Sequence, residues 1–287
     1  MSRMQIARLE NGRLHLHDGP IDLIIACDGR AEEIARAETA AIERFATILD
    51  ELCRELVLLR TPTHQMPQGK VARRMWSATR AFSETSFITP MAAVAGSVAE
   101  EILETMLAAA HLTRAMVNNG GDIAIHLIPG QLYRVGLIDR PDLPSIFASS
   151  EITSAEDVRG IATSGWRGRS FSLGIADAVT VLASRASIAD AAATMIANAV
   201  DLPGHPAITR RPANKLQPDS DLKDRLVTTD VGLLDKAEIV TALSKGTEFA
   251  QELLDARVIS ASALNLAGET LTLSDRSYSK IGSYAYA

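Results

Sequence analysis

The run Val117-Asn118-Asn119-Gly120-Gly121-Asp122-Ile123 constrains this chain most, because it sets two glycines and an acid between two apolar, strand-like segments. Glycine has no β-carbon, so consecutive glycines let the backbone turn sharply and let N–H groups approach a ligand, while Asp122 adds a negative oxygen beside them. A plain turn joining two strands uses the same residue types, and the loop alone does not separate the two uses.

At 287 residues the chain is long enough for a large core, organised as one domain over 1–287 or as two interlocked subdomains. Apolar residues make up 47% and charged residues 22%, which excludes disorder and fibrous classes. A net charge of −6 gives no electrostatic reason to expect nucleic acid or an anionic membrane as partner. Two cysteines, Cys27 and Cys53, make no disulfide framework, and Cys27 reads as a buried, inert thiol in an apolar run. Met1 to Leu16 alternates polar and apolar residues, with no stretch of signal-peptide or membrane length; a cytoplasmic location is the expectation.

Strands and helices follow one another in mixed order. Arg13 to His17 and Ile21 to Cys27 read as a hairpin around Asp18-Gly19-Pro20. A helix from about Ala31 to Leu59 carries Ile34, Ala41, Phe45, Ile48, Leu49 and Leu52 on one stripe, and Pro62 and Pro67 then bracket a loop. A second helix, from about Pro90 to Ala110, opens with small residues on every face, so another helix or a ligand comes close to its backbone; a homodimer through this helix is one assembly open to it. Strand candidates follow at 114–118, 123–128, 132–138 and 178–183, then a helix at about 188–200. Residues 201–230 are polar, rich in proline and carry Arg210, Arg211, Lys215, Lys223 and Arg225; they read as a long loop over or near a cleft, facing an anionic ligand or simply solvated. A helix from about Lys236 to Ala256 and two strands joined at Ala267-Gly268 close the chain.

Two further constellations bear on chemistry. Gly160-Ile161-Ala162-Thr163-Ser164-Gly165 reads as a loop whose hydroxyls and N–H groups hold phosphate oxygens, or as a turn that satisfies its own backbone. In Ser187 to Thr194 the carboxylate of Asp190 and the hydroxyl of Thr194 lie four residues apart on one helix face, two hard oxygens that suit magnesium. The plainer reading makes Ser187 a helix N-cap and Asp190 an acid that complements the helix dipole. None of the six histidines forms a metal-spaced pair on an expected helix, and there is no G-x-S-x-G elbow, P-loop or dinucleotide fingerprint.

Together these pieces resemble the ApbE superfamily, whose best-known members are magnesium-dependent flavin transferases. Asn118 to Ile123 is similar to that family's N-x-G-G-D-I loop, Ile161 to Gly165 to its A-T-S-G segment, Ala178 to Ala183 to its S-V-T-V-x-A strand, and Ala189, Asp190 and Thr194 to its A-D-x-x-x-T helix start, all in the family's order. The flanking segments at 90–100 and 220–228 resemble a shorter ApbE-like branch of unassigned function. The resemblance implies an ApbE-like α+β fold, with mixed or antiparallel sheets and packed helices around a central ligand cleft. It further implies magnesium ligands at Asp190 and Thr194, and contacts to a flavin nucleotide, FAD or FMN, from Asn118, Asn119, Gly120, Gly121, Asp122, Thr163, Ser164 and Gly165. The transferases cleave FAD at the pyrophosphate and move FMN onto a hydroxyl of a protein substrate. This chain departs from them in two places: the twelve residues after Gly165, Trp166 to Asp177, contain no histidine where the transferases have an H-x-I-x-P-x-T-G segment, and the helix start at 91–96 has no lysine. Three readings follow: a magnesium-dependent protein acting on FAD or a related phosphate-bearing ligand, a non-catalytic flavin or nucleotide carrier, and an enzyme of unrelated chemistry on a small metabolite in the same cleft.

Overall fold

The computed structural model describes residues 4–138, 146–274 and 281–283. Strands β1 (Gln5–Arg8), β2 (Leu14–Asp18) and β3 (Ile21–Asp28) are followed by helices α1 (Ala31–Arg54), α2 (Leu56–Leu59), α3 (Lys70–Arg80) and α4 (Val94–Ala109). Six strands come next: β4 (Arg114–Asn119), β5 (Asp122–Leu127), β6 (Leu132–Ile138), β7 (Ile146–Thr153), β8 (Gly160–Ser164) and β9 (Ala178–Ala183). Then come α5 (Ala186–Ala199), β10 (Ile208–Pro212), α6 (Ala213–Leu216), β11 (Leu226–Val231), α7 (Lys236–Asp255), β12 (Ala261–Leu266), β13 (Glu269–Ser274) and β14 (Ile281–Ser283). The class is α+β, and the chain divides into two compact units. The first contains the chain up to Leu132 with Thr153–Ala162 and Ser184–Ala191; the second contains the rest.

In the first unit, β1, β2, β3, β4 and β5 form an antiparallel sheet in chain order, and Gly160 and Ile161 of β8 extend it by pairing with Ala124 and Ile123. Burial alternates strictly along β2 and β4, so one face of the sheet is apolar. Leu14, Leu16, Leu23, Ile25, Ala115 and Val117 supply that face, and α1 and α4 cover it. Helix α1 buries Ala37, Ala41, Phe45, Ile48 and Leu52, the stripe expected from its period. It stops at Arg54 instead of running on to Leu59. Glu55 takes a non-helical ψ of 12°, and its carboxylate accepts the N–H groups of Gln68 and Gly69, at 2.7 and 2.6 Å, just ahead of α3.

Helix α3 lies in the stretch after Pro67 where the sequence pattern suggested no helix. Its inward positions are Val71, Ala72, Met75, Ala78 and Thr79, with Arg74 among them, and that buried cation masks the apolar stripe. Arg74 meets Glu100 at 2.6 Å, Glu104 at 2.7 Å and Glu101 at 3.2 Å, so its charge is compensated inside the unit.

In the second unit β9, β12 and β13 form an antiparallel run, and α7 packs on β12 and β13. Every residue of β9 and β12 is buried. Helix α7 begins with a reciprocal capping box between Asp235 and Glu238. The stretch 201–230, read from the sequence as a loop, contains the antiparallel hairpin β10–β11 with the single turn α6 between its strands. Pro212 closes β10 at its end, where a missing N–H costs the ladder least. A further small sheet pairs β14 with β7 and β7 with β6.

Candidate functional site

The Asn118–Asp122 run is a hairpin turn between β4 and β5. Asn119 pairs with Asp122, leaving Gly120 and Gly121 as the two turn residues, with φ of 64° and 119°. The Gly121 N–H donates to Asn118 Oδ1 at 2.8 Å, so the plain-turn reading of the loop is realised in full. Register then divides the run. Residues directly opposite in an antiparallel pair share a face, so Asn119 and Asp122 point one way while Asn118 and Ile123 point the other. Asn119 is buried on the helix side, where its amide donates to the Ala95 carbonyl at 3.1 Å.

Asp190 meets the same turn of α4. Its Oδ2 accepts the Gly96 N–H at 2.9 Å, and the Ala95 N–H also donates to this carboxylate. Those donors belong to the first residues of α4, whose N–H groups have no partner within the helix. A β-carbon on Gly96 would stand 2.3 Å from the Ala186 carbonyl oxygen, so the starts of α4 and α5 approach backbone to backbone. That contact explains the small residues of 91–99. It also uses the buried side of Gly96, Ser97, Val98 and Ala99 inside the first unit. Burial drives the Asp190 carboxyl well above the ordinary carboxylate range, the negative charge of Asp122 adds to the rise, and the two N–H donors oppose it.

The relationship between these helices is reciprocal. Glu100, one turn beyond Gly96 on α4, accepts both the backbone N–H and the hydroxyl of Ser187 on α5, each at 2.8 Å. Arg185 reaches the other oxygen of Glu100 at 2.9 Å. Ser187 is therefore not the N-cap that its position suggested: the helix begins at Ala186, and the hydroxyl of Ser187 serves Glu100.

Thr163, Ser164 and Gly165 lie in the second unit, and Thr163 and Ser164 are the last residues of strand β8, not a loop. The Thr163 and Thr180 hydroxyls hydrogen-bond at 2.9 Å. Gly165 is fixed by crowding, since a β-carbon there would meet the Asp177 carbonyl oxygen at 2.4 Å. Thr194 is partly buried on α5, four residues after Asp190. Sequence reasoning did not single out Asp177 as an organising group, yet its buried carboxylate accepts Trp166 Nε1 at 3.1 Å, Arg167 Nε at 2.6 Å and the Ala267 N–H at 2.6 Å. Glu100 and Arg74 were missed as well, and the one available signal was a lone arginine on an otherwise apolar helix face.

Of the residues expected at the site, Asn119, Asp122 and Asp190 come together around the first turn of α4, whereas Asn118 sits on the opposite sheet face. Among the described residues no three of His, Cys, Asp and Glu are arranged to hold a metal ion. Asp122 and Asp190 still offer two hard, mutually repelling carboxylates. Such a set fits magnesium, which draws its remaining ligands from hydroxyls, water and phosphate oxygens. Cys27 is half-buried, and burial pushes its thiol up to about 11, which leaves it inert. Among the described residues, no helix is long and apolar enough to cross a membrane.

Comparison with known proteins gives the family of the chain. The family model described as "AbpE bacteria" matches residues 5–272, nearly the whole chain, and the chain belongs to that ApbE-like family. Among curated proteins it is similar to a UPF0280 protein of Methanopyrus kandleri, 42% identical over 131 residues, covering 45% of this chain and 48% of that protein. A UPF0280 protein of Methanosarcina barkeri is 33% identical over 183 residues, covering 60% of this chain and 64% of the relative. The matched stretch thus spans from about half to under two thirds of these two relatives' length. Among solved structures, the apo flavinyl transferase ApbE of Pseudomonas stutzeri aligns over 96% of both chains at 10% identity, with a TM-score of 0.48.

Proposed function

We propose that this protein binds a phosphate-bearing flavin nucleotide together with magnesium and cleaves FAD at its pyrophosphate, passing FMN to a hydroxyl or to water. The observation that carries this reading is the pair Asp122 and Asp190, two mutually repelling carboxylates, with Asp190 held by N–H groups of the first turn of α4. A like-charged, half-buried pair is costly on its own, and a divalent cation would offset the repulsion. Magnesium would be held by Asp190, Thr194 and phosphate oxygens, and when bound it would neutralise charge that develops as the phosphoryl bond breaks. The Asn118–Asp122 and Thr163–Gly165 segments would contact the nucleotide.

The chain's own residues define what remains to be done. Asp190 is oriented by the Gly96 and Ala95 N–H groups, so its carboxylate is fixed before any ligand arrives. In the transfer, the acceptor oxygen bonds to the FMN phosphorus, the bond to the AMP oxygen breaks, and AMP leaves with the electron pair while the proton of the acceptor passes to solvent water.

A second reading, a carrier that binds flavin nucleotide without turning it over, is favoured by one observation: residues 166–177 contain no histidine, so that segment supplies no imidazole for proton transfer. Incubation of the purified protein with FAD and magnesium, followed by chromatography for AMP, separates the two. AMP release that is abolished by chelation and by Asp190→Asn supports the enzyme. Tight flavin binding without AMP supports the carrier, and no flavin binding by a folded protein removes both.

A further inference from the structure

Glu100 and Asp190 belong to a closed ring of contacts between two helix starts. On α4, Gly96 and Glu100 are four residues apart; on α5, Ser187 and Asp190 are three apart, so each pair lies along one helix face. Asp190 Oδ2 accepts the Gly96 N–H at 2.9 Å, and Glu100 Oε1 accepts the N–H and the hydroxyl of Ser187 at 2.8 Å each. Each acid therefore caps the helix that carries the other acid. The start of α5 cannot rotate or slide against α4 without losing one of the two caps.

A neutral serine or asparagine would satisfy the end of α5 as well. Glu100 instead brings a charge that is only 7% exposed, compensated by the buried Arg74 at 2.6 Å and by Arg185 at 2.9 Å. That compensation also fixes the acid. Oε2 belongs to the two guanidinium groups and Oε1 to Ser187, so the carboxylate is held from both sides by charge-assisted hydrogen bonds. Its grip on Ser187 lies less than one helical turn before Asp190, which leaves little backbone in between to absorb a shift.

We propose that Glu100 is a positioning residue for Asp190: through Ser187 it sets the rotation of the α5 start, and so the place of the Asp190 carboxylate against the first turn of α4. The consequence for metal affinity rests on the magnesium reading above; the positioning itself does not. The test compares full-length Glu100→Gln, Glu100→Asp and Ser187→Ala with Ile48→Ala, a cavity variant at a fully buried position of α1. Amide hydrogen exchange followed by NMR reads the Gly96 N–H, which reports on Asp190 with no metal present. Titration with manganese(II) in the presence of FAD, followed by electron paramagnetic resonance, reads the metal. In Glu100→Gln the side-chain NH2 group must face either the arginines or Ser187, so Gly96 exchange is expected to rise and manganese affinity to fall, each roughly 10-fold. Ser187→Ala keeps the backbone N–H and Glu100→Asp keeps the charge on a shorter arm, so both should move the same way by less. Ile48→Ala should change neither value.

Unchanged Gly96 exchange and manganese affinity in a folded Glu100→Gln overturn the positioning role and leave the magnesium reading intact. If Glu100→Gln does not fold, unchanged values in Ser187→Ala and Glu100→Asp overturn it. Equal changes in Ile48→Ala overturn it as well, since they trace the effect to lost stability alone. Faster Gly96 exchange with unchanged manganese affinity upholds the positioning and removes Asp190 from the metal site. A parent that binds no manganese with FAD removes the magnesium reading, and Gly96 exchange alone then decides the positioning.

Discussion

Glu100 accepts the backbone N–H and the hydroxyl of Ser187 through one oxygen, each at 2.8 Å, although the two residues are 87 positions apart in the chain. Its second oxygen carries Arg74 at 2.6 Å and Arg185 at 2.9 Å. Glu100 thus caps α5 while Asp190 of α5 caps α4, and each helix start depends on the other.

Removal of one partner from this cluster should cost far more than a surface substitution. Glu100→Gln leaves Arg74 short of a buried partner, which typically costs about 3 to 5 kcal/mol, towards the low end here because Glu101 and Glu104 also reach Arg74. Ser187→Ala removes one hydrogen bond to a charged acceptor and should cost about 1.5 kcal/mol. Urea denaturation of the two single variants and the double variant measures both costs and their coupling. A Glu100→Gln protein as stable as the parent would remove Glu100 from this role.

Gly96 and Gly121 are required for different reasons, and alanine substitution should separate them. At Gly96 the new methyl would meet the Ala186 carbonyl oxygen at 2.3 Å, so the α4–α5 junction must open, and Gly96→Ala is expected to give little folded protein. At Gly121 a new methyl would find no atom within 4 Å, yet φ is 119°, and the strain of a non-glycine residue there should cost roughly 1 to 3 kcal/mol. Thermal melting of both proteins checks the order, and Gly121→Ala being the more damaging would contradict it.

Glu33 should contribute a pH-dependent share of stability. The His111 N–H and then the Arg36 guanidinium hold its carboxyl at about 2, below its ordinary value. A group whose pKa falls on folding stabilises the native state above its unfolded pKa of roughly 4.3, and loses that contribution as pH falls towards the folded value. Melting temperatures between about pH 5 and pH 2 should therefore drop less steeply in Glu33→Gln than in the parent, from a lower starting point. Parallel profiles would show that Glu33 makes no such contribution.

Periodic elements were legible in the sequence: the stripe of α1, the strands β2 to β5 and β9, and helices α5 and α7 follow from apolar spacing. What escaped were places where a residue answers to a distant partner. Arg74 broke the apolar stripe of α3 because its partners, Glu100, Glu101 and Glu104, lie on another helix. Gly160 and Gly165 made β8 look like a loop, whereas both mark close backbone approach: a β-carbon on Gly160 would stand 2.1 Å from the Ala186 nitrogen, and one on Gly165 would meet the Asp177 carbonyl. The candidate site was legible as a set of motifs but not in its geometry. The pleat that turns Asn118 away from Asn119 and Asp122 depends on strand register, and the capping of α4 by Asp190 joins residues 94 positions apart.

Asp190 is a helix cap and the proposed magnesium ligand, and two substitutions should pull the observed role and the proposed one apart. As a cap it needs only an acceptor for the Gly96 and Ala95 N–H groups, which an asparagine amide oxygen supplies and alanine does not. Asp190→Ala should therefore lose about 0.5 to 2 kcal/mol of stability in chelator. Asp190→Asn should stay close to the parent or rise slightly, since it also relieves repulsion from Asp122. As a magnesium ligand Asp190 needs its charge, so the gain in melting temperature expected of the parent with millimolar magnesium and FAD should vanish in both variants. Melts in chelator and in magnesium with FAD read the two roles on one axis. A magnesium-dependent gain that persists in Asp190→Asn would leave Asp190 as a helix cap and nothing more.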